Sequence, residues 1–113
     1  MTTKDIIKIL PFDKEFKQDL LLKYDGYTLD QRFQIERVIW GFYYALYQAH
    51  LDKNMQLAFE RAKRDEEPLD GEFYARVHKQ TDEELQKEYT KAETEVDISS
   101  AREELEKIIK NSN

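Results

Sequence analysis

The residues of this chain whose types could carry a reaction are two histidines, three Glu-Glu pairs and three serines. His50 and His78 fall on either side of Pro68. On two helices that turn back at that proline they stand roughly 10 Å apart, by the 1.5 Å rise per residue. That separation does not suit a shared metal ion. The Glu-x-x-His pair of di-iron bundles is also missing: Tyr47 stands three residues before His50, and Ala75 three before His78. His78 and Asp82 are four apart and read as a solvated histidine beside an acid.

The pairs Glu66/Glu67, Glu83/Glu84 and Glu103/Glu104 do not converge on a substrate, because adjacent helical residues point about 100° apart. General acid–base work needs two carboxyls in one desolvated cleft. Lys87 and Lys107 stand four residues after Glu83 and Glu103, as on a solvated helix face. Ser99 and Ser100 sit at a helix start and Ser112 at the chain end, without a Gly-x-Ser-x-Gly turn. Three widely spaced glycines cannot build a phosphate-cradling loop. The absence of cysteine excludes a disulfide framework, a Cys-ligated zinc and a thiol nucleophile. The expectation is a protein with no catalytic site, no cofactor and no metal.

The unusual feature is aromatic. Trp40, Phe42, Tyr43, Tyr44 and Tyr47 crowd into eight residues. Core packing is the plain reading of such a cluster. Trp and Tyr also dominate protein–protein hot spots, and rings on every side of one helix are hard to bury in so short a chain. Tyr44 lies off both main stripes and is the best candidate for the outside. Gly41, Ala45 and Ala49 recur every four residues, a ridge that lets another helix approach closely. Its expected neighbour is the face of Phe16 and Leu20, with a second copy of the chain as the alternative. The candidate interaction surface is therefore Trp40, Gly41, Tyr44, Ala45 and Tyr47. The competing reading is a ligand pocket lined by Trp40, Tyr43, Tyr44, Tyr47 and His50, for which a buried acid such as Glu36 would speak.

These residues need elements to hold them. Ile6, Ile7, Ile9 and Leu10 stop at Pro11 and read as a helical turn or two, or as an arm over 1–11. Asp13 then caps a helix whose face is Phe16, Leu20 and Tyr24, closed by Gly26 in the left-handed conformation. Thr28 and Gln31 form a capping box. No breaker except Gly41 follows until Pro68, so one long helix is expected over 29–65, roughly 55 Å in length. Its alternative is a break near residues 51–54.

The first half of that helix carries two apolar stripes. One is Leu29, Phe33, Trp40, Tyr43, Tyr47 and Leu51; the other is Ile35, Val38, Ile39, Phe42 and Leu46. With both stripes facing neighbours, Trp40 belongs to the core. The second half narrows to Met55, Ala58, Phe59 and Ala62. Residues 66–71 are a turn, with Asp70 capping the next helix. Phe73, Val77, Leu85 and Tyr89 share a face in which Thr81 sits, and a kink at Thr81 is the alternative to one straight helix. Residues 96–100 read as a connection, Ser100 and Glu103 as a capping box, and Leu105, Ile108 and Ile109 as core contacts. Residues 111–113 should fray.

The chain of 113 residues suits one domain, 1–113, of the all-α class: a small bundle of about four helices with a hairpin turning at Pro68. The helix over 13–25 is expected to cover the aromatic half, and the last helix to fold back over the hairpin. Charge is uneven: residues 1–27 are neutral, 28–65 carry +1 and 66–113 carry −7. An acidic half disfavours nucleic acid and anionic membranes, and the basic run over 61–64 reads as cations at a helix C-terminus. The Met1 end lacks a signal-peptide pattern, and the apolar stretch over 38–51 is too short to span a bilayer. A cytoplasmic, non-enzymatic interaction module is the expectation. Its partner is a protein, of basic character to suit the acidic half, or a second copy forming a homodimer. A ligand-binding bundle or enzyme subunit is the alternative.

Overall fold

Capping side chains start the first three helices. The structure, a computed structural model, describes residues 1–87 and 98–110. Among these it is all-α: α1 (Thr3–Ile9), α2 (Lys14–Lys23), α3 (Leu29–Lys63), α4 (Phe73–Leu85) and α5 (Ile98–Lys110). Thr2 and Asp5 close a capping box on α1, and Thr28 and Gln31 close another on α3. Asp13 accepts from the Phe16 N–H at 2.9 Å and so caps α2.

The helix ends depart from expectation. No glycine among the described residues has positive φ; α2 passes instead into a 3-10 turn, Tyr24–Gly26, closed by the Tyr27 N–H on the Tyr24 carbonyl at 3.3 Å. The left-handed residue is Asp65, at φ 59°. It ends α3 two residues before the expected 65 in a Schellman motif. Glu66 N–H reaches back to the Arg61 carbonyl at 2.9 Å and Asp65 N–H to the Ala62 carbonyl at 3.1 Å. Asp70 accepts from the Glu72 N–H at 3.0 Å, making a turn one step ahead of α4 rather than capping it.

The long helix is unbroken over its 35 residues. Leu51 and Asn54, where a break was the alternative, are both buried, and α4 packs along this half of α3. Helix α4 is also continuous through Thr81. The Thr81 hydroxyl donates to the Val77 carbonyl at 2.9 Å, so this buried polar group is satisfied inside the helix. Phe73, Val77 and Leu85 are buried as their spacing demands, whereas Tyr89 lies outside the described residues, as do 111–113. Ile98, Ser99 and Ser100 belong to α5, so the connection read over 96–100 is helical from Ile98 onward and Ser100 lies within the helix.

Among the described residues two apolar clusters hold the molecule. The larger joins Ile6, Ile7 and Leu10 of the first segment to Leu20, Ile35, Ile39, Leu46, Leu85, Ala101 and Leu105. The smaller is Leu51, Ala58, Phe73 and Val77, between the second half of α3 and α4. Three expectations change here. The segment over 1–11 is not an arm: Ile6, Ile7 and Leu10 have no exposed surface. It is α1 that lies against α3, while α2 packs chiefly on α1 and touches the long helix through Tyr24, whose hydroxyl donates to Glu36 at 2.9 Å. Helix α5 packs on the first half of α3 instead of on the hairpin. Arg102 fixes it there, paired with Asp13 and lying 4.9 Å over the Phe16 ring.

The result is elongated, 59 × 25 × 17 Å, with a radius of gyration of 17.0 Å against about 13 Å for a compact chain of this length. Among the described residues no helix is long and apolar enough to cross a membrane.

Candidate interaction surface

Only one of the two apolar stripes of α3 is fully used. Ile35, Ile39 and Leu46 are buried, with Val38 and Phe42 half-buried beside them. The other stripe splits. Leu51 is buried, Tyr43 and Tyr47 are half-buried, and Leu29, Phe33 and Trp40 are exposed. Trp40, expected in the core, keeps 41% of its surface exposed. The reason is positional. With α2 stacked on α1, no helix among the described residues covers the outer side of α3. The indole edge rests on α1, where its Nε1 donates to the Thr3 hydroxyl at 3.2 Å, and packs edge-on against Tyr43.

Phe33 and Tyr44 join Trp40 on this outer face, 59% and 65% exposed. Gly41 and Ala45 are also exposed, and a Cβ added at Gly41 would meet nothing within 4 Å. The expected neighbour of this small-residue ridge, the face of Phe16 and Leu20, is thus not on it. The ridge instead floors an open groove of 430 Å³ between α3 and α5, lined by Arg37, Gly41, Phe42 and Ala45 on one side and Glu104 and Ile108 on the other. Of the five residues read as the candidate surface, Trp40, Gly41, Tyr44 and Ala45 lie exposed together. Tyr47 turns away, and its hydroxyl shares a hydrogen bond of 3.0 Å with His78 Nδ1. The residues of the competing ligand pocket do not surround that groove, and Glu36 is taken up by Tyr24.

A polar cluster lies between α3 and α4 that spacing alone did not show. Asn54 donates through Nδ2 to Thr81 Oγ1 and to Glu84 Oε1, each at 3.0 Å, and His50 Nε2 stands 3.2 Å from Glu84 Oε2. Burial pushes the Glu84 carboxyl up, but hydrogen bonds from His50, Asn54 and Gln80 overcome that and hold it below its usual range. Glu84 and His50 meet across two helices thirty-four residues apart in the chain; the pairing of His78 with Asp82 read from spacing gave no hint of it. The cluster ties α4 to α3. Its donors and acceptor face one another across the contact between the two helices. Burial, with Asp82 nearby, raises the Tyr47 hydroxyl, and that of Tyr43 likewise. Among the described residues no three of His, Asp and Glu stand close enough to hold a metal ion.

The basic run over 61–64 serves the hairpin. Arg61 pairs with Glu67 at 3.0 Å and Arg64 with Glu66 at 3.1 Å. Arg76 reaches across from α4 to Glu67, Asp70 and the Pro68 carbonyl, closing the turn. Set against known protein families, curated proteins and solved structures, the chain matches none of them.

Proposed function

We propose that this chain is a non-enzymatic interaction module whose contact surface is the outer face of α3. The observation that carries the reading is the contiguous exposure of Phe33, Trp40 and Tyr44 beside Gly41 and Ala45 on one continuous helix. Large rings cost apolar exposure when left in water, and rigid aromatic side chains are the commonest anchors of protein contacts. The groove beside them supplies a recess of 430 Å³ next to the projecting rings, so the face has relief as well as apolarity. In this reading the polar cluster and the Arg76 turn keep α3 straight, and the α3 surface does the recognition.

Site-specific photo-crosslinking tests it. Benzoylphenylalanine replaces Tyr44 on the outer face and, as a control, the exposed Lys79 on α4. In the native cell, position 44 should give a discrete protein adduct and position 79 none. Equal, diffuse labelling from both positions, or no adduct from 44, overturns the proposal.

A further inference from the structure

We propose that the groove between α3 and α5 is a homodimer interface, filled by the Trp40–Tyr44 ridge of a second copy of this chain. The inference rests on reading the outer face of α3 as a contact surface and names what occupies it.

Shape is the first argument. Each large ring on the ridge is followed at once by a small residue on the groove side: Trp40 by Gly41, and Tyr44 by Ala45. Consecutive helical residues diverge by about 100°, so ridge and groove run side by side at the same height along α3. A two-fold axis lying along the helix turns one copy over onto the other, with its ridge against the partner's groove. The same operation places the partner's ridge in the first groove. Every contact is then made twice, as an isologous interface requires. The groove holds 430 Å³, within the range of roughly 300–1,000 Å³ that accommodates ring-bearing groups. Its floor is open at Gly41, where an added Cβ would meet nothing within 4 Å.

Charge is the second argument. Arg37 and Glu104 both line the groove, and neither takes part in an ion pair among the described residues. A groove of one sign would repel its own copy. This one carries one charge of each sign, so the Arg37 of one protomer can answer the Glu104 of the other at both ends of the symmetric contact. A lone cation does not make a phosphate-binding surface, which removes nucleic acid as the occupant.

Analytical ultracentrifugation of the full chain tests the proposal. At about 100 µM, where a micromolar dimer is assembled, the wild type should sediment as a dimer. Gly41→Gln is the diagnostic variant. Its Cβ meets nothing within 4 Å in the single chain and it replaces a poor helix former, so the monomer should fold, which circular dichroism verifies. In the dimer its side chain takes the place of the partner's ring, and association should weaken by about thirtyfold, the loss of a central anchor. Arg37→Glu and Glu104→Arg should each weaken association, and the two together should restore it. A wild type that is monomeric at about 100 µM overturns the proposal. So does a dimer indifferent to Gly41→Gln, or a charge swap without recovery. A monomer whose position 44 still cross-links to a different protein leaves the interaction-module reading standing; a monomer without any adduct removes both.

Discussion

Glu84 shows how a surface-coded residue becomes a structural one. In the sequence it is one glutamate of a pair on a charged helix, and nothing in its neighbours at i, i+3 or i+4 marks it. In the fold it accepts from Asn54 and stands against His50, both on the other helix, and these bonds outweigh burial to depress its pKa below the ordinary 4.5. The sign of the consequence follows from linkage. A carboxyl that binds its proton less readily when folded adds stability that is fully present above the unfolded pKa, and loses it as pH falls through the lower, folded value. The stability advantage of the wild type over Glu84→Gln should therefore be present above the ordinary carboxylate range and shrink as pH falls below it, through the lowered folded value. Urea melts of both proteins across that range measure it. An advantage that holds or grows in acid would show that Glu84 is not fastened as an anion. Long-range pairs of this kind are illegible from spacing, because a helix pattern reports only the residues one turn away.

At the scale of elements, capping boxes and periodicity are what a sequence states most clearly, and they were sufficient for α2, α3 and α4. Thr28 with Gln31 marks where α3 begins, and the Phe73, Val77, Leu85 spacing marks which side of α4 is buried. Helix ends were less legible. Gly26 looked like the left-handed residue, yet Asp65 adopts that conformation, because the Schellman bonds to Arg61 and Ala62 repay a backbone that aspartate tolerates. Partnership was legible least. Two stripes on α3 competed for cover, and only the assembled fold decides that α1 and α5 take the Ile35, Ile39, Leu46 stripe and leave Trp40 half outside. The first segment is the sharpest case, since four apolar residues before a proline fit an arm as well as a helix. Its role has a direct test. Ile7 is fully buried, so Ile7→Ala should cost about 2–5 kcal/mol by chemical denaturation. Leu22, on the outer side of α2 and 83% exposed, should cost within about 0.5 kcal/mol on the same change. Equal effects would mean that α1 is not part of the core.

The whole molecule is long because one helix sets its length, and a long two-ended body distributes its stability unevenly. The end built from α1, α5 and the first half of α3 rests on the larger cluster, which includes Ile6, Ile7, Leu10, Ile35, Ile39 and Leu105. The hairpin end rests on Leu51, Ala58, Phe73 and Val77, helped by ion pairs that are largely exposed and so contribute little. Leu85 belongs to the larger cluster and anchors the last turn of α4 there, while the Asn54 cluster joins the helices midway. Burial of apolar area is the main favourable term, so the free energy needed to open the hairpin tip is smaller than that needed to separate α1 and α5 from α3. Amide hydrogen exchange followed by mass spectrometry should find peptides from 55–63 and 73–78 exchanging well before those from 35–46, although all lie in continuous helix. Protection should rise along α4 toward Leu85, where the larger cluster takes over. Uniform protection along α3 would mean that the helix opens as one cooperative unit and that the two clusters do not act separately. If the hairpin end does open first, the outer face of α3 around Trp40 and Tyr44 stays on the rigid part of the molecule, which is where a contact surface loses least entropy on binding.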